Sequence, residues 1–319
     1  MDIEFLLFLQ TLRTKTLPCL SDIAFFFNQL GFGVYLPIWL FVIIYWCCNK
    51  KIGEKLFLSY LFSLFLCDFI KCTVCVNRPW IRDSRVKPHP KELRTATGYS
   101  MPSGHSTAAT AAYGALEREY NRTNIIFHFI CPAIILCVML ARMVLGYHTP
   151  QDVLAGLATG LVSIFLSSVV VERCMKDKKA WLVPGVFLLI AIAETYFLLV
   201  KSYPVTPLVD PAKMRLDAHV SMAALFTYLL ASTFENRFIN FTPPSSFLGK
   251  VLVFVPGFVI VYCINHFGEI IASRYVPQTW THAVAHCVMI AFIVFIWPAF
   301  FCHFTGKGIT INGRRTRKH

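Results

Sequence analysis

Arg142-Met-Val-Leu-Gly-Tyr-His148-Thr-Pro-Gln-Asp152 stands between two long apolar runs, residues 124–146 and 151–171. Each run reaches the ~20 residues that a helix needs to cross a bilayer, so the stretch reads as the turn joining two membrane spans. An arginine, a histidine and an aspartate near bilayer depth are costly unless they face partners or water, which makes them functional candidates. The end of the stretch reads as a helix start, with Thr149 as N-cap, Pro150 at the first position and Asp152 at the third. His148 lies just ahead of that start.

Outward from this turn the apolar pattern continues. Further runs occupy 33–49, 55–74, 104–117, 180–200, 217–233, 249–270 and 281–303. The run at 104–117 is short for a span and rich in Ala and Gly. The expected fold is therefore all-α, a polytopic transmembrane helical bundle of about nine spans. At the N-terminus the runs around Phe5-Leu-Leu-Phe-Leu and Ile23-Ala-Phe-Phe-Phe are interrupted by Arg13 and Lys15. Both are too short to span and read as interfacial amphipathic helices. The start Met-Asp-Ile-Glu lacks the basic region and small-residue site of a cleavable signal peptide. Four stretches follow from this reading: interfacial helices at 1–32, a catalytic core at 33–172, additional C-terminal spans at 173–303 and a basic tail at 304–319.

Composition agrees. The 319 residues are 56% hydrophobic and 15% charged, where a soluble domain has roughly 25% charge. Mean hydropathy is +0.59 and pI about 9.3. The net charge of +13 is scattered over many short loops. It therefore reads as membrane topology and anionic headgroups, and argues against nucleic acid as a partner. Most of the twelve cysteines lie inside apolar runs, where they act as small hydrophobes. Cys72 and Cys75 form a C-x-x-C pair at a helix end, outside the context of a redox motif.

With nine spans, one set of loops (50–55, 117–123, 172–179, 234–250 and the tail) carries slightly more Lys and Arg than the other. Arg314-Arg-Thr-Arg-Lys318 strengthens the bias. The positive-inside rule then puts that set in the cytoplasm and the Arg142–Asp152 turn on the opposite side. The sequons at Asn121 and Asn240 fall on the cytoplasmic side, so neither is expected to be glycosylated. The absence of an outward sequon favours a bacterial inner or plasma membrane.

Two other polar clusters fall on the same face as the turn. Lys71-Cys-Thr-Val-Cys-Val-Asn-Arg78-Pro79 closes one span. Tyr99-Ser-Met-Pro102-Ser103-Gly104-His105 enters the next. Lys71, Arg78 and Arg142 suit a doubly charged tetrahedral anion, the arginines by bidentate bonding and the lysine as a point charge. Ser103 and Gly104 stand at a helix start, where free amides and the helix dipole favour an anion. Asp152 can hold one ring nitrogen of His148 and leave the other to attack phosphorus, and His105 can protonate the leaving oxygen. Together these groups make a phosphoryl-transfer apparatus that needs no metal or other cofactor.

The three stretches resemble the signature of the type 2 phosphatidic acid phosphatase family, K-x6-R-P, P-S-G-H and S-R-x5-H-x3-D. Lys71, Arg78 and Pro79 match the first part, and Pro102, Ser103, Gly104 and His105 the second. Arg142, His148 and Asp152 match the third, with Ala141 where the family has Ser. The resemblance covers roughly residues 33–172. It implies His148 as the nucleophile of a phosphohistidine intermediate, Asp152 as its partner and His105 as the general acid. Lys71, Arg78, Ser103, Gly104 and Arg142 would cradle the phosphate. It also implies a metal-independent enzyme acting on lipid phosphates or diphosphates away from the cytoplasm. The Tyr99–His105 stretch looks like sphingoid-base phosphate phosphatases. The span count and motifs also resemble glucose-6-phosphatase, so a water-soluble sugar phosphate is the alternative substrate. Phosphatidic acid, phosphatidylglycerophosphate, a polyprenyl diphosphate and a sphingoid-base phosphate all remain open.

Two regions carry less specific signals. The polar connection 80–98 reads as a solvated loop or as a lid that selects headgroups. The second half places Glu194, Asp217, His219, His266, Glu269, His282 and His286 in or beside apolar runs. His282 and His286 share a helix face at a spacing that could bind a metal, but with no carboxylate or third ligand nearby in sequence, packing and interhelical hydrogen bonds are the better reading. Intramembrane acids are also what a transporter would show, but that reading leaves Lys71, Arg78, His105, Arg142, His148 and Asp152 unexplained as a set. A shift of 115 residues aligns Ser106, Ala108, Ala109, Tyr113, Asn121 and Arg122 with Ser221, Ala223, Ala224, Tyr228, Asn236 and Arg237, a degenerate duplication or a coincidence.

Overall fold

The computed structural model describes residues 2–32, 35–93, 96, 98–121, 124–175, 180–204, 206, 209–305, 310–311 and 314–315. These residues are almost entirely helical. The helices are α1 (Asp2–Thr11), α2 (Cys19–Phe32), α3 (Tyr35–Ile43), α4 (Lys50–Val74), α5 (Pro79–Arg82), α6 (Gly104–Tyr120) and α7 (Ile125–Val144), then α8 (Pro150–Val169), α9 (Leu182–Val200), α10 (Pro211–Phe234), α11 (Phe247–Ala272), α12 (Thr281–Ala291) and α13 (Trp297–Phe304). A two-residue antiparallel pair, Thr310–Ile311 with Arg314–Arg315, stands in the tail.

Six helical segments among the described residues are long and apolar enough to cross a membrane: Lys50–Arg82, Ile125–Val144, Pro150–Cys174, Leu182–Val200, Phe247–Ala272 and Gln278–Phe304. The other three expected runs form helices that fall short of this measure. Ile38–Cys48 is a short apolar helix. Helix α6 is built of Ala, Thr and Gly and ends in Glu117, Arg118 and Glu119, and α10 begins with Lys213, Arg215 and Asp217. The long helices turn large apolar side chains outward, among them Phe129, Leu136, Leu161, Phe165, Leu189 and Leu252, while arginine, histidine and aspartate lie inside. That arrangement suits a hydrocarbon solvent, and the chain is a multi-pass membrane protein.

The chain forms two compact units, each assembled from segments distant in sequence. The first comprises Met1–Pro37, Ser59–Ser168 and Glu194–Ala218; the second Ile38–Leu58, Val169–Ala193 and His219–His319. In the first unit α2 packs along α6 and α7, and α6 along α7. Helix α8 meets α6 through small residues. A Cβ added at Gly156 would lie 2.8 Å from Ser103 O and 2.9 Å from Ser106 Cβ, and one at Gly160 would lie 2.5 Å from Thr110 Cβ. This Gly156-x-x-x-Gly160 pair lets two backbones approach as membrane helices commonly do, and it brings the start of α8 against the start of α6.

In the second unit α11 packs along α12. Its core is aromatic, with Trp46, Tyr228, Phe41 and Phe241 fully buried. Trp46 Nε1 donates to Ile293 O at 3.0 Å and Trp297 Nε1 to Val253 O at 2.8 Å. Gly257 leaves room for both indoles, since a Cβ there would come within 2.6 Å of each.

Candidate active site

Every site residue expected from the sequence lies in the first unit. Lys71 sits in the last turn of α4, and Arg78 is the N-cap of α5. Ser103 is the N-cap of α6, followed by Gly104 and His105. Arg142 is in the last turn of α7, His148 in the turn that follows, and Asp152 in the first turn of α8.

Backbone bonds tie the three stretches together. Ser100 N donates to Val76 O at 2.7 Å, and Ser103 N to Asp152 O at 2.9 Å. Arg78 bridges to both neighbours, from Nε to Gly98 O at 2.8 Å and from Nη1 to Tyr147 O at 3.3 Å. The turn itself closes through Tyr147 N to Arg142 O at 3.0 Å, with Gly146 at φ +78°. Another residue there would be strained, and its Cβ would stand 3.3 Å from Pro88 Cα.

The helix start at α8 forms as its residues suggest. Asp152 Oδ2 accepts from Thr149 N at 2.7 Å, and Asp152 N donates to Thr149 Oγ1 at 3.3 Å, a reciprocal cap. His148 is 2% exposed and Asp152 1%. Arg78 Nη1 lies 3.0 Å from His148 Nε2. A guanidinium can only donate, so Nε2 is the acceptor and the ring proton resides on Nδ1. Nδ1 faces Asp152 Oδ2 at 3.7 Å, beyond direct hydrogen-bond reach. Ser100 stands beside both, its hydroxyl donating to Asp152 Oδ2 at 2.7 Å and lying 3.5 Å from His148 Nδ1. The aspartate thus works on the ring electrostatically and through Ser100, where direct contact was expected. Burial and the charges of Arg78 and Arg142 hold the His148 imidazole well below its ordinary pKa against the opposing pull of Asp152, so it is neutral at neutral pH.

Around this pair the cations converge. Arg142, His148, Lys71 and Arg78 all lie within electrostatic reach of His105. Lys71 Nζ is 3.5 Å from where a Cβ on Gly104 would stand. Arg142 is 3% exposed, with its guanidinium 4.5 Å over the Tyr147 ring and Nη1 donating to Asn28 Oδ1 at 2.5 Å. The Ser103 hydroxyl accepts from Ser106 Oγ at 3.0 Å. The first turn of α6 leaves the amides of Gly104 and His105 without intrahelical acceptors. Arg78, Arg142, His148 and Asp152 are buried, while Lys71, Gly104 and His105 are partly open.

Sequence reasoning missed Ser100 and Asn28. Ser100 lies within the second cluster, three residues before Ser103, and that membership was its one signal in the sequence. Asn28 is a polar residue on an apolar helix, 1% exposed, and a buried amide requires a partner.

The connection after α5 is held at several points. Arg82 pairs with Asp2 at 2.7 Å and Arg85 with Glu4 at 2.8 Å. Arg13 Nη2 donates to Lys87 O at 2.6 Å and Nη1 to Leu145 O at 3.2 Å. His89 N donates to Leu145 O at 2.9 Å, and the Tyr147 hydroxyl to His89 O. As far as Leu93 this segment is clamped to α1 and to the 142–148 turn; residues 94, 95 and 97 lie outside those described.

In the second half, Glu269 Oε1 lies 2.7 Å from His282 Nδ1, and His286 Nδ1 donates to His282 O at 2.9 Å. The carboxylate that the sequence did not place beside the histidines is therefore Glu269. Among the described residues no group of three or more His, Cys, Asp or Glu side chains is arranged to hold a metal ion. The twelve cysteines are free thiols.

Comparison with known proteins finds several similar chains. The chain is 31% identical over 127 residues to the lipid A 1-phosphatase of Rhizobium johnstonii, covering 39% of the chain and 49% of the relative. To the lipid phosphate phosphatase delta of Arabidopsis thaliana it is 26% identical over 159 residues, covering 46% of the chain and 38% of the relative. To the lipid A 1-phosphatase of Helicobacter pylori it is 36% identical over 91 residues, covering 28% of the chain and 44% of the relative. The chain spans about half the length, or less, of these relatives. No solved structure matches it at a significant level. The family model described as the PAP2 superfamily matches residues 54–176, a segment that holds every site residue from Lys71 to Asp152.

Proposed function

We propose that this protein is an integral-membrane phosphatase that removes phosphate from a lipid phosphate or diphosphate through a phosphohistidine intermediate, without a metal ion. The observation that carries the reading is the state of His148: neutral, buried, its Nε2 lone pair turned to Arg78 Nη1 at 3.0 Å and its Nδ1 proton toward Ser100 and Asp152. A phosphate dianion takes the Arg78 bond for one of its oxygens and leaves Nε2 facing phosphorus. Attack forms the N–P bond and breaks the P–O bond to the lipid. His105 serves as the general acid that delivers a proton to the leaving oxygen. The phosphoimidazolium carries its charge beside Asp152. Water then attacks phosphorus, His105 takes the water's proton, and inorganic phosphate leaves with His148 neutral again. Arg78, Arg142, Lys71 and the first amides of α6 neutralise charge on the phosphoryl oxygens throughout.

The names of the relatives support a lipid substrate, and the outward apolar surface supports delivery from the bilayer. The reading includes about nine spans, with Ile38–Cys48, α6 and α10 crossing against neighbouring helices. It also includes a catalytic face turned away from the cytoplasm by the positive-inside rule, in a bacterial plasma membrane. The division into interfacial helices, catalytic core, accessory spans and basic tail belongs to the same proposal.

The test is phosphate release in detergent from short-chain phosphatidic acid, phosphatidylglycerophosphate, undecaprenyl diphosphate, sphingosine phosphate, lipid A 1-phosphate and glucose 6-phosphate. At least one lipid is expected to turn over with EDTA present. Turnover of glucose 6-phosphate alone would select a soluble substrate. Retained activity in His148→Ala would refute the nucleophile, and loss in EDTA would refute the metal-free chemistry.

A further inference from the structure

The N-terminal helices lie outside the segment that matches the superfamily, which begins at residue 54. The sequence assigns them to the membrane surface. In the structure α2 nevertheless reaches the site twice. At Asn28 its carboxamide oxygen accepts from Arg142 Nη1 at 2.5 Å, and at Gly31, on the same face, a Cβ would stand 2.6 Å from Val138 Cγ1 and 3.2 Å from His105 Cβ. One helix thus abuts both the helix carrying the Arg142 guanidinium and the residue assigned as general acid. Asn28 is 1% exposed and Arg142 3%. The guanidinium is held on its face by the Tyr147 ring at 4.5 Å and at its edge by Asn28. These two contacts fix both the position and the plane of the fork, which bidentate phosphate binding requires.

We propose that Asn28 is a positioning residue of the active site, acting through Arg142, and that α2 is a structural wall of the phosphate cradle. This rests on the phosphatase reading above. The chemistry explains why the residue is an amide. A carboxylate at 28 would hold the guanidinium equally well but would cancel the charge that a phosphate dianion needs. A neutral acceptor orients Arg142 and leaves its charge in place. Helix α2 is itself joined to the catalytic turn through the preceding segment, where Arg13 donates to Leu145 O.

The experiment uses the full-length protein in detergent, with orthovanadate and inorganic phosphate as probes of the cradle and phosphate release as the activity. Asn28→Ala is expected to weaken binding of both anions about tenfold, the size of a lost hydrogen bond to a charged group. Asn28→Asp is nearly isosteric and is expected to weaken binding further. In an Arg142→Ala background Asn28→Ala is expected to have no further effect on anion binding, because it acts through Arg142. A residue with only a packing role would lower the apparent melting temperature and give additive effects in that background. Binding by Asn28→Asp as tight as by the unmodified protein would overturn the inference, as would additivity with Arg142→Ala. If the unmodified protein neither binds vanadate nor releases phosphate from any substrate, the phosphatase reading falls and this inference with it. If it does both and the Asn28 variants match it, the inference alone falls.

Discussion

Two buried polar clusters, one in each unit, use the same residue types to opposite ends. In the first unit Lys71, Arg78 and Arg142 gather around His105 and His148, with the Asp152 carboxylate beside His148. In the second unit cations and acids are paired. Lys50 meets Glu235 at 2.5 Å, Lys55 meets Glu172 at 2.5 Å, Asn236 Nδ2 donates to Glu54 Oε1 at 3.0 Å, and Phe241 N donates to Glu235 Oε1 at 2.7 Å. Paired charge locks helices together. An excess of buried cation is a standing electrostatic cost that an anionic ligand relieves. The difference teaches that composition at a buried site separates a binding cluster from a structural one more surely than burial does.

The sharpest way to break this comparison is to exchange readouts between the clusters. His148→Ala is expected to reduce kcat by on the order of 10⁴-fold, the scale of nucleophile loss, with little change in the apparent melting temperature. Glu235→Gln is expected to do the reverse, destabilising the fold by about 3 kcal/mol by removing the acid that meets Lys50, while kcat/KM of the folded fraction stays within a few-fold. Thermal unfolding and steady-state kinetics on both variants decide it, and a Glu235→Gln enzyme that is stable but inactive would erase the distinction.

A smaller effect is expected where packing sets the catalytic geometry. Gly156→Ala would drive a Cβ to 2.8 Å from Ser103 O, so the start of α6 must move. A loss of about 1–3 kcal/mol of stability from overpacking should accompany a fall in phosphate affinity, measured as inhibition by inorganic phosphate. Smaller again is Ser100→Ala, expected to lower kcat about tenfold by removing a hydrogen bond to a charged group, with KM little altered because Ser100 bonds Asp152 and stands beside His148. A changed KM with unchanged kcat would make Ser100 a substrate ligand.

The pH profile supplies the last test. Burial, Arg78 and Arg142 lower the His148 pKa, so the neutral nucleophile persists below the ordinary value of 6.5. Protonation of His148 removes the lone pair, so activity falls as pH drops through the lowered pKa. The acid limb of kcat/KM, which reports the free enzyme, is therefore expected below pH 6.5. A limb above it would mean that Asp152 outweighs the arginines.

Much of this molecule is legible without coordinates because its signals are local. Thr149, Pro150 and Asp152 form the helix start that their types favour, since a cap depends on residues three apart. The long apolar runs form helices because hydrocarbon leaves the backbone no other way to satisfy its hydrogen bonds. The runs around α6 and α10 are less decisive. Their small or charged residues suit burial against other helices, which hydropathy alone does not measure.

Contacts distant in sequence were not legible. Asn28 is far along the chain from Arg142, and nothing in either stretch announces the other. Ser100 stands between Asp152 and His148 only because the Ser103 amide bonds Asp152 O and sets two helix starts side by side. Likewise the polar segment after α5 looked free in sequence, whereas Asp2, Glu4, Arg13 and Tyr147 hold it.

By itself the sequence determined a helical membrane chain, three polar clusters and residue types that suit a phosphate, because hydrophobicity, capping and charge are properties of short segments. Only the tertiary structure decided which groups meet. It put a serine between the aspartate and the histidine, an asparagine from the first helices against Arg142, and the close approach of α6 and α8 at Gly156 and Gly160. The physical reason is that catalytic geometry depends on distances between helices, and those are set by packing across the whole unit.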